Sequence, residues 1–233
     1  MKMYKSILFV DIKASTAIIQ KVENYEEMDG FIYFFYNTLY DCIELAGYER
    51  HQIYIKPLGD GALIALDEDL QPAESLKKIE NLIQRFELRL EDNMDRLDWA
   101  FKTELYSQLR WGVSRGPVRR ISMDDYAQWE HRRQYFMDDQ EYGMKRVFDN
   151  GFVDFYGPCI NLAARLCGLA RPYGVIIDRS AFPVRPAIPI FEFIKKGISV
   201  RDFKVPFDAW VSSGVDIEAI WSEKADIQEK ETE

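Results

Sequence analysis

Histidine and cysteine are scarce in this 233-residue chain, with two copies of one and three of the other. His51 and His131 neighbour neither each other nor a cysteine, and Cys42, Cys159 and Cys167 form no close pair, so the ligand spacing of a zinc site is missing. An odd number of cysteines at irregular spacing also argues against a disulfide framework and fits a reducing, cytoplasmic setting. Long apolar runs are lacking too. The opening MKMYKSILFVD is too short in its apolar part for a secretion signal, and no stretch reaches the roughly 20 apolar residues of a membrane span. Positive charge is in deficit, with 30 Lys and Arg against 39 Asp and Glu, a net charge of −9. Bulk attraction to nucleic acid or to an anionic membrane is therefore not expected. Any phosphate must be handled by local cations or by a metal ion.

What is present suffices for one sizeable core: 47% of residues are hydrophobic. Residues 4–12 read as a buried strand, 25–46 as an amphipathic helix ending near Gly47, and 51–66 as strand, tight turn and strand around Gly59-Asp60-Gly61. Leu76, Ile79, Leu82, Ile83, Phe86 and Leu90 line one face of a helix over 72–98. A glycine-punctuated strand is expected at 109–121, a small-residue helix at 159–170, a strand from 174, and two strands around a turn at Gly197 within 191–213. Residues 122–150 are polar, aromatic and acidic with no clear period. A single domain is read as 1–213, followed by a charged tail over 214–233. Mixed strands and helices in this order favour an α+β or α/β fold over a helical bundle or a sandwich.

Two acids stand out. Asp11 ends the apolar run SILFV and is followed by IKAST; Asp60 sits in the turn after HQIYIKPLG. Carboxylates at strand ends project into a cleft, and two of them on adjacent strands can hold Mg²⁺ or Mn²⁺, which take oxygen ligands and leave room for phosphate. The loop with Ser15 and Thr16 offers hydroxyls and N–H groups to a triphosphate. Taken singly, Asp11 also reads as a helix cap and Asp60 as an ordinary hairpin residue. Further on, YGPCINLAARL puts Asn161 and Arg165 four apart on one helical face. Asn can orient a ribose or an attacking oxygen, and Arg can stabilise charge developing on a phosphate. A capping Asn and a surface Arg are the plainer alternative.

The segments FVDIKAST, KPLGDGALIAL, RWGVSRGPV and YGPCINLAARL, in this order and register, resemble the class III nucleotidyl cyclase catalytic domain over roughly residues 4–210. That resemblance implies a ferredoxin-like fold with a central, mostly antiparallel sheet flanked by helices. It implies two Mn²⁺ or Mg²⁺ ions per site, held by Asp11, Asp60 and the backbone carbonyl of Ile12. It assigns Asn161 and Arg165 to catalysis and Lys196, in the KKG step, to the triphosphate. The implied partner is a second copy, in a head-to-tail homodimer with the active sites at the interface. The implied reaction closes the ribose 3′-hydroxyl onto the α-phosphate and releases pyrophosphate.

Base choice in similar cyclases rests largely on two positions, here Lys56 and Asp154. A lysine–aspartate pair is what adenylate cyclases use. Tyr54 lies two residues before Lys56, on the same strand face, and its ring would shrink the base pocket. About twenty extra residues near 122–150 replace the family's usual glycine-marked arm, and the chain carries no regulatory or membrane domain. In this layout it looks like the stand-alone bacterial pyrimidine cyclases of antiphage defence, which make cyclic UMP or cyclic CMP for a separate effector. The expectation is a UTP or CTP cyclase. The alternatives are an adenylate cyclase, an inactive nucleotide-binding homologue, and an unrelated two-aspartate polymerase palm, which the net charge of −9 disfavours.

Overall fold

The computed structural model describes residues 2–12, 25–49, 52–58, 61–67, 70–94, 109–122, 153–200 and 206–218. Asp60, Ser15, Thr16, nearly all of the 122–150 segment, and the tail beyond residue 218 lie outside the described residues. The strands are β1 (Lys2–Ile12), β2 (Ile53–Pro57), β3 (Gly61–Asp67), β4 (Leu109–Ser122), β5 (Val153–Tyr156), β6 (Gly174–Asp178), β7 (Phe193–Ile198) and β8 (Phe207–Ser212). The helices are α1 (Tyr25–Leu45), α2 (Pro72–Met94) and α3 (Pro158–Leu169). The sheet runs β2-β3-β1-β4-β6-β8-β7, with β5 paired to the far end of β4. All pairs are antiparallel except β4–β6. The expected α+β architecture is therefore what the chain adopts.

Alternation along β1 divides the molecule into two faces. Leu8, Val10 and Ile12 join Ile64, Leu66, Trp111, Val113, Val175 and Ile177 in one buried cluster under α1 and α2. The apolar stripe of α2 supplies Leu76, Ile79, Leu82, Ile83, Phe86 and Leu90, all buried as the 3.6-residue period predicts. Helix α1 adds Phe35, Leu39, Cys42 and Ile43, and stops where expected. The Tyr48 N–H reaches the Ile43 carbonyl and the Gly47 N–H reaches that of Glu44, a Schellman closure with Gly47 at φ +88.

The opposite face carries α3. Its inner residues Cys159, Ile160, Ala163, Leu166 and Cys167 are buried. The helix lies so close on β4 that a Cβ at Gly112 would stand 2.0 Å from the Ala163 carbonyl and 2.2 Å from the Cys167 nitrogen. The glycine in RWGVS thus permits backbone-to-helix contact. Pro158 opens α3 at a position with no N–H to lose.

Two expectations shift. Gly197 is not at a turn: it pairs with Asp208 inside β7, and the chain reverses between Ile198 and Phe207. Its place before Ile198, which is buried in the core, keeps the strand going. Val215, in the segment read as tail, is buried and bridges to Pro172.

Candidate active site

Asp11, at the end of β1, faces the α3 side, opposite Gly61 of β3 and Arg110 of β4. The Arg110 guanidinium donates through Nη2 to Asp11 Oδ2. Arg110 Nε is buried with no hydrogen-bond partner among the described residues. Arg110 was not singled out from the sequence; its register opposite Asp11 identifies it. The pair lies against the inner side of α3, where the Cys167 thiol donates to the Arg110 carbonyl at 3.3 Å. Burial, and next the negative charge of Asp11, push that thiol up to about 12, so Cys167 stays protonated and chemically inert.

Of the carboxylates expected to hold a divalent cation, Asp11 lies among the described residues and Asp60 outside them. Asp11 offers a part-exposed carboxylate that already draws a cation, and the Ile12 side chain is buried in the core, leaving its main chain to serve. No cluster of three His, Cys, Asp or Glu side chains occurs among the described residues. Leu58 and Gly61, which flank residues 59–60, are both held by Tyr36 of α1. Tyr36 Oη donates to the Gly61 carbonyl at 2.6 Å and accepts the Leu58 N–H at 3.3 Å, while Leu58 N–H also donates to the Gly61 carbonyl at 2.9 Å. Tyr36 looks like one more aromatic of an amphipathic helix in the sequence, so its hydroxyl gave no signal there.

A second group forms where β2 meets β5. Lys56 Nζ donates to Asp154 Oδ2 at 2.5 Å, and Tyr54 Oη donates to Asp154 Oδ1 at 3.4 Å. The Phe155 N–H donates to the same Oδ1 at 2.8 Å. The Tyr54 ring stands edge-on to Phe155, with centroids 5.0 Å apart. Three residues separated by about a hundred positions are thus joined, and Tyr54 and Lys56 do share a strand face.

Asn161 and Arg165 are exposed on the outer side of α3, away from the sheet. With Phe155, Tyr156, Ile160 and Ala164 they line an open groove of about 800 Å³. Asp11 and Arg110 lie against the other side of the same helix, whose body is roughly 10 Å across. Lys195 and Lys196 diverge. Lys195 faces the α1/α2 side and pairs with Asp208 at 2.9 Å; Asp208 also takes Arg179 at 2.7 Å. The hydrogen bond from Lys195 holds the Asp208 carboxyl below its usual value. Lys196 pairs in register with Ala209, which is buried in the cluster beneath α3, so Lys196 faces the α3 side. Four strand spacings separate β7 from β1, roughly 19 Å.

No family model and no curated protein matches this chain. Solved structures do. The fold is that of the class III nucleotidyl cyclase catalytic domains. The chain is similar to the guanylyl cyclase Cya2, with a TM-score of 0.63 and 16% identity over 93% of this chain and 95% of that one. It is similar to the adenylyl cyclase CyaB from P. aeruginosa, with a TM-score of 0.60 and 15% identity over 93% and 97%. A dimeric guanylyl cyclase domain of the RhoGC fusion protein from Blastocladiella emersonii matches with a TM-score of 0.57 and 15% identity over 92% and 98%.

Proposed function

We propose that the protein is a nucleotidyl cyclase that converts a pyrimidine nucleoside triphosphate, UTP ahead of CTP, to the 3′,5′-cyclic nucleotide and pyrophosphate. The observation that carries this is the arrangement of one sheet face. Asp11, the Tyr54–Lys56–Asp154 group and Lys196 belong to it, and Asn161 and Arg165 stand on the outer side of the helix that covers it, on a backbone similar to known cyclases.

In this reading Asp11, the Ile12 carbonyl and Asp60 would hold two Mg²⁺ or Mn²⁺ ions, which when bound neutralise phosphate charge and favour the ionised 3′-hydroxyl. Asn161 orients the ribose. The new bond joins the 3′-oxygen to the α-phosphorus, the bond from that phosphorus to the pyrophosphate oxygen breaks, and the hydroxyl proton leaves to solvent. Arg165 stabilises the charge that builds on the phosphate, while Lys196, Ser15 and Thr16 bind the triphosphate. Asp11 and Arg165 lie on opposite sides of α3, and Lys196 is four strands from Asp11 in the same chain. One nucleotide reaches all of them if a second copy, turned head to tail, supplies the α3 groove and Lys196.

The base is read by Lys56 and Asp154. Lys56 donates to a uracil carbonyl, and Asp154 accepts from uracil N3–H. The Tyr54 ring, packed against Phe155, occupies space beside them that a purine would need. The product would act as a second messenger of antiphage defence in the cytoplasm, read by a separate effector. A second reading, an adenylate cyclase, is favoured by the closed Lys56–Asp154 pair itself; an inactive nucleotide-binding homologue is the third. The test is incubation of the purified chain with each of the four nucleoside triphosphates and Mn²⁺, with products resolved by mass spectrometry. Cyclic UMP should dominate; dominant cyclic AMP selects the second reading, and no cyclic product selects the third.

A further inference from the structure

Lys5 is a buried cation with no part in the chemistry above. Its side chain is 3% exposed and pairs at 2.6 Å with Asp67, its direct neighbour across β1 and β3. Burying an ammonium costs desolvation that an apolar side chain of similar length avoids, even with a carboxylate beside it. The contact that an apolar side chain cannot reproduce is with an aromatic ring. Lys5 Nζ lies over Phe155, 4.5 Å from its centroid.

Phe155 is the residue next to Asp154. Tyr54 meets its ring edge-on, and its N–H orients the Asp154 carboxylate. Strand β5 is only four residues long and is laddered to β4 along one edge. The ladder sets its register, but the tilt of its side chains toward β2 depends on what grips Phe155. The ammonium attracts the ring face directionally, whereas an apolar neighbour would let the ring slide.

We propose that Lys5, held by Asp67, is a positioning residue for base recognition: it pins Phe155 and thereby sets Asp154 opposite Lys56 and Tyr54. The inference rests on the reading of that trio as the base subsite of a cyclase.

The experiment compares full-length wild type, Lys5→Met and Lys5→Arg for kcat and KM with all four nucleoside triphosphates, alongside thermal melting. Lys5→Met should melt at or above the wild-type temperature. Its KM for the preferred nucleotide should rise roughly 10-fold with kcat changed less than about 2-fold, and its pyrimidine-to-purine preference should narrow. Lys5→Arg, which keeps charge and ring contact, should recover part of the preference. Should Lys5→Met fail to fold, the double variant Lys5→Met/Asp67→Leu supplies the same comparison, because it removes the ammonium without leaving its carboxylate unpaired and keeps the Tyr54–Phe155 contact. An active wild type whose preference and KM are unchanged in the variant overturns this inference alone. A wild type that cyclises none of the four removes the cyclase reading, and the inference with it.

Discussion

The two faces of the sheet are built on opposite principles. Toward α1 and α2 the inward positions are mostly apolar, apart from buried hydroxyls such as the Ser6–Ser75 pair at 2.9 Å, and Phe35, Phe86 and Trp111 stack edge to face at 5.2 and 5.6 Å. Toward α3, the same strands present Lys5, Asp11, Lys56, Arg110, Ser114 and two close-packed glycines, 112 and 116. Ser114 and Asp178, both buried there, are paired. Ser114 Oγ donates to Asp178 Oδ2 at 3.0 Å, while Ser180 donates to Oδ1 from both its N–H and its hydroxyl. One face gains its stability from apolar area; the other gives up part of that area to charged side chains and to glycines that admit the backbone of α3.

That contrast can be broken from either side. The largest effect is expected at the seam. Gly112→Val drives a side chain into the backbone of α3, which cannot move aside, and the melting temperature should fall on the order of 10 °C or more, read by circular dichroism. Next comes the core face. Phe86→Ala should cost ~3–5 kcal/mol in urea unfolding. The activity of its folded fraction should be unchanged. On the other face Arg165→Ala should do the reverse: turnover falls ~10²- to 10³-fold while the unfolding midpoint stays put, because the side chain is exposed. A loss of stability as large as that of Phe86→Ala would erase the distinction.

The smallest expected effect is a pH dependence on the core side. Burial lifts the Glu80 carboxyl above its ordinary value of 4.5, although it accepts the Ala187 N–H at 2.8 Å. A raised folded-state value means that the folded chain holds this proton more tightly. Glu80 therefore adds stability as pH falls from neutral through that raised value, and the gain is complete below the ordinary one. Glu80→Gln keeps the acceptor and removes the titration. Its melting temperature should exceed that of the wild type at pH 7, with the difference shrinking as pH falls toward 4.

How much of this was legible in the sequence follows the same division. The core face was readable because its signal is local: the stripe of α2 and the Gly47 stop of α1 lie where their spacing put them, and the apolar run at 4–12 lies within β1. The α3 face was readable only in its motifs. They put forward Asp11, Tyr54, Lys56, Asp154, Asn161 and Arg165 as candidates, of which the structure joins the trio around Asp154 by contacts spanning about a hundred residues. The partners of those residues were not among them. Arg110 depends on strand register, Tyr36 on the direction of one hydroxyl, and Lys5 on a ring that arrives from β5. No local pattern encodes such contacts. Gly197 was misread because glycine marks both turns and exposed strand positions, and pairing with Asp208 decides between them.

The central claim is that the α3 face carries two halves of a catalytic set that only a second copy completes. Mixing two inactive variants, Asp11→Asn and Arg165→Ala, tests it most directly. Each alone should form almost no cyclic nucleotide. Exchanged as an equimolar mixture they should recover about one quarter of the wild-type rate, since half of the dimers are mixed and each mixed dimer has one intact site of two. A mixture as inactive as its components, or a single variant that keeps full activity, would contradict the account.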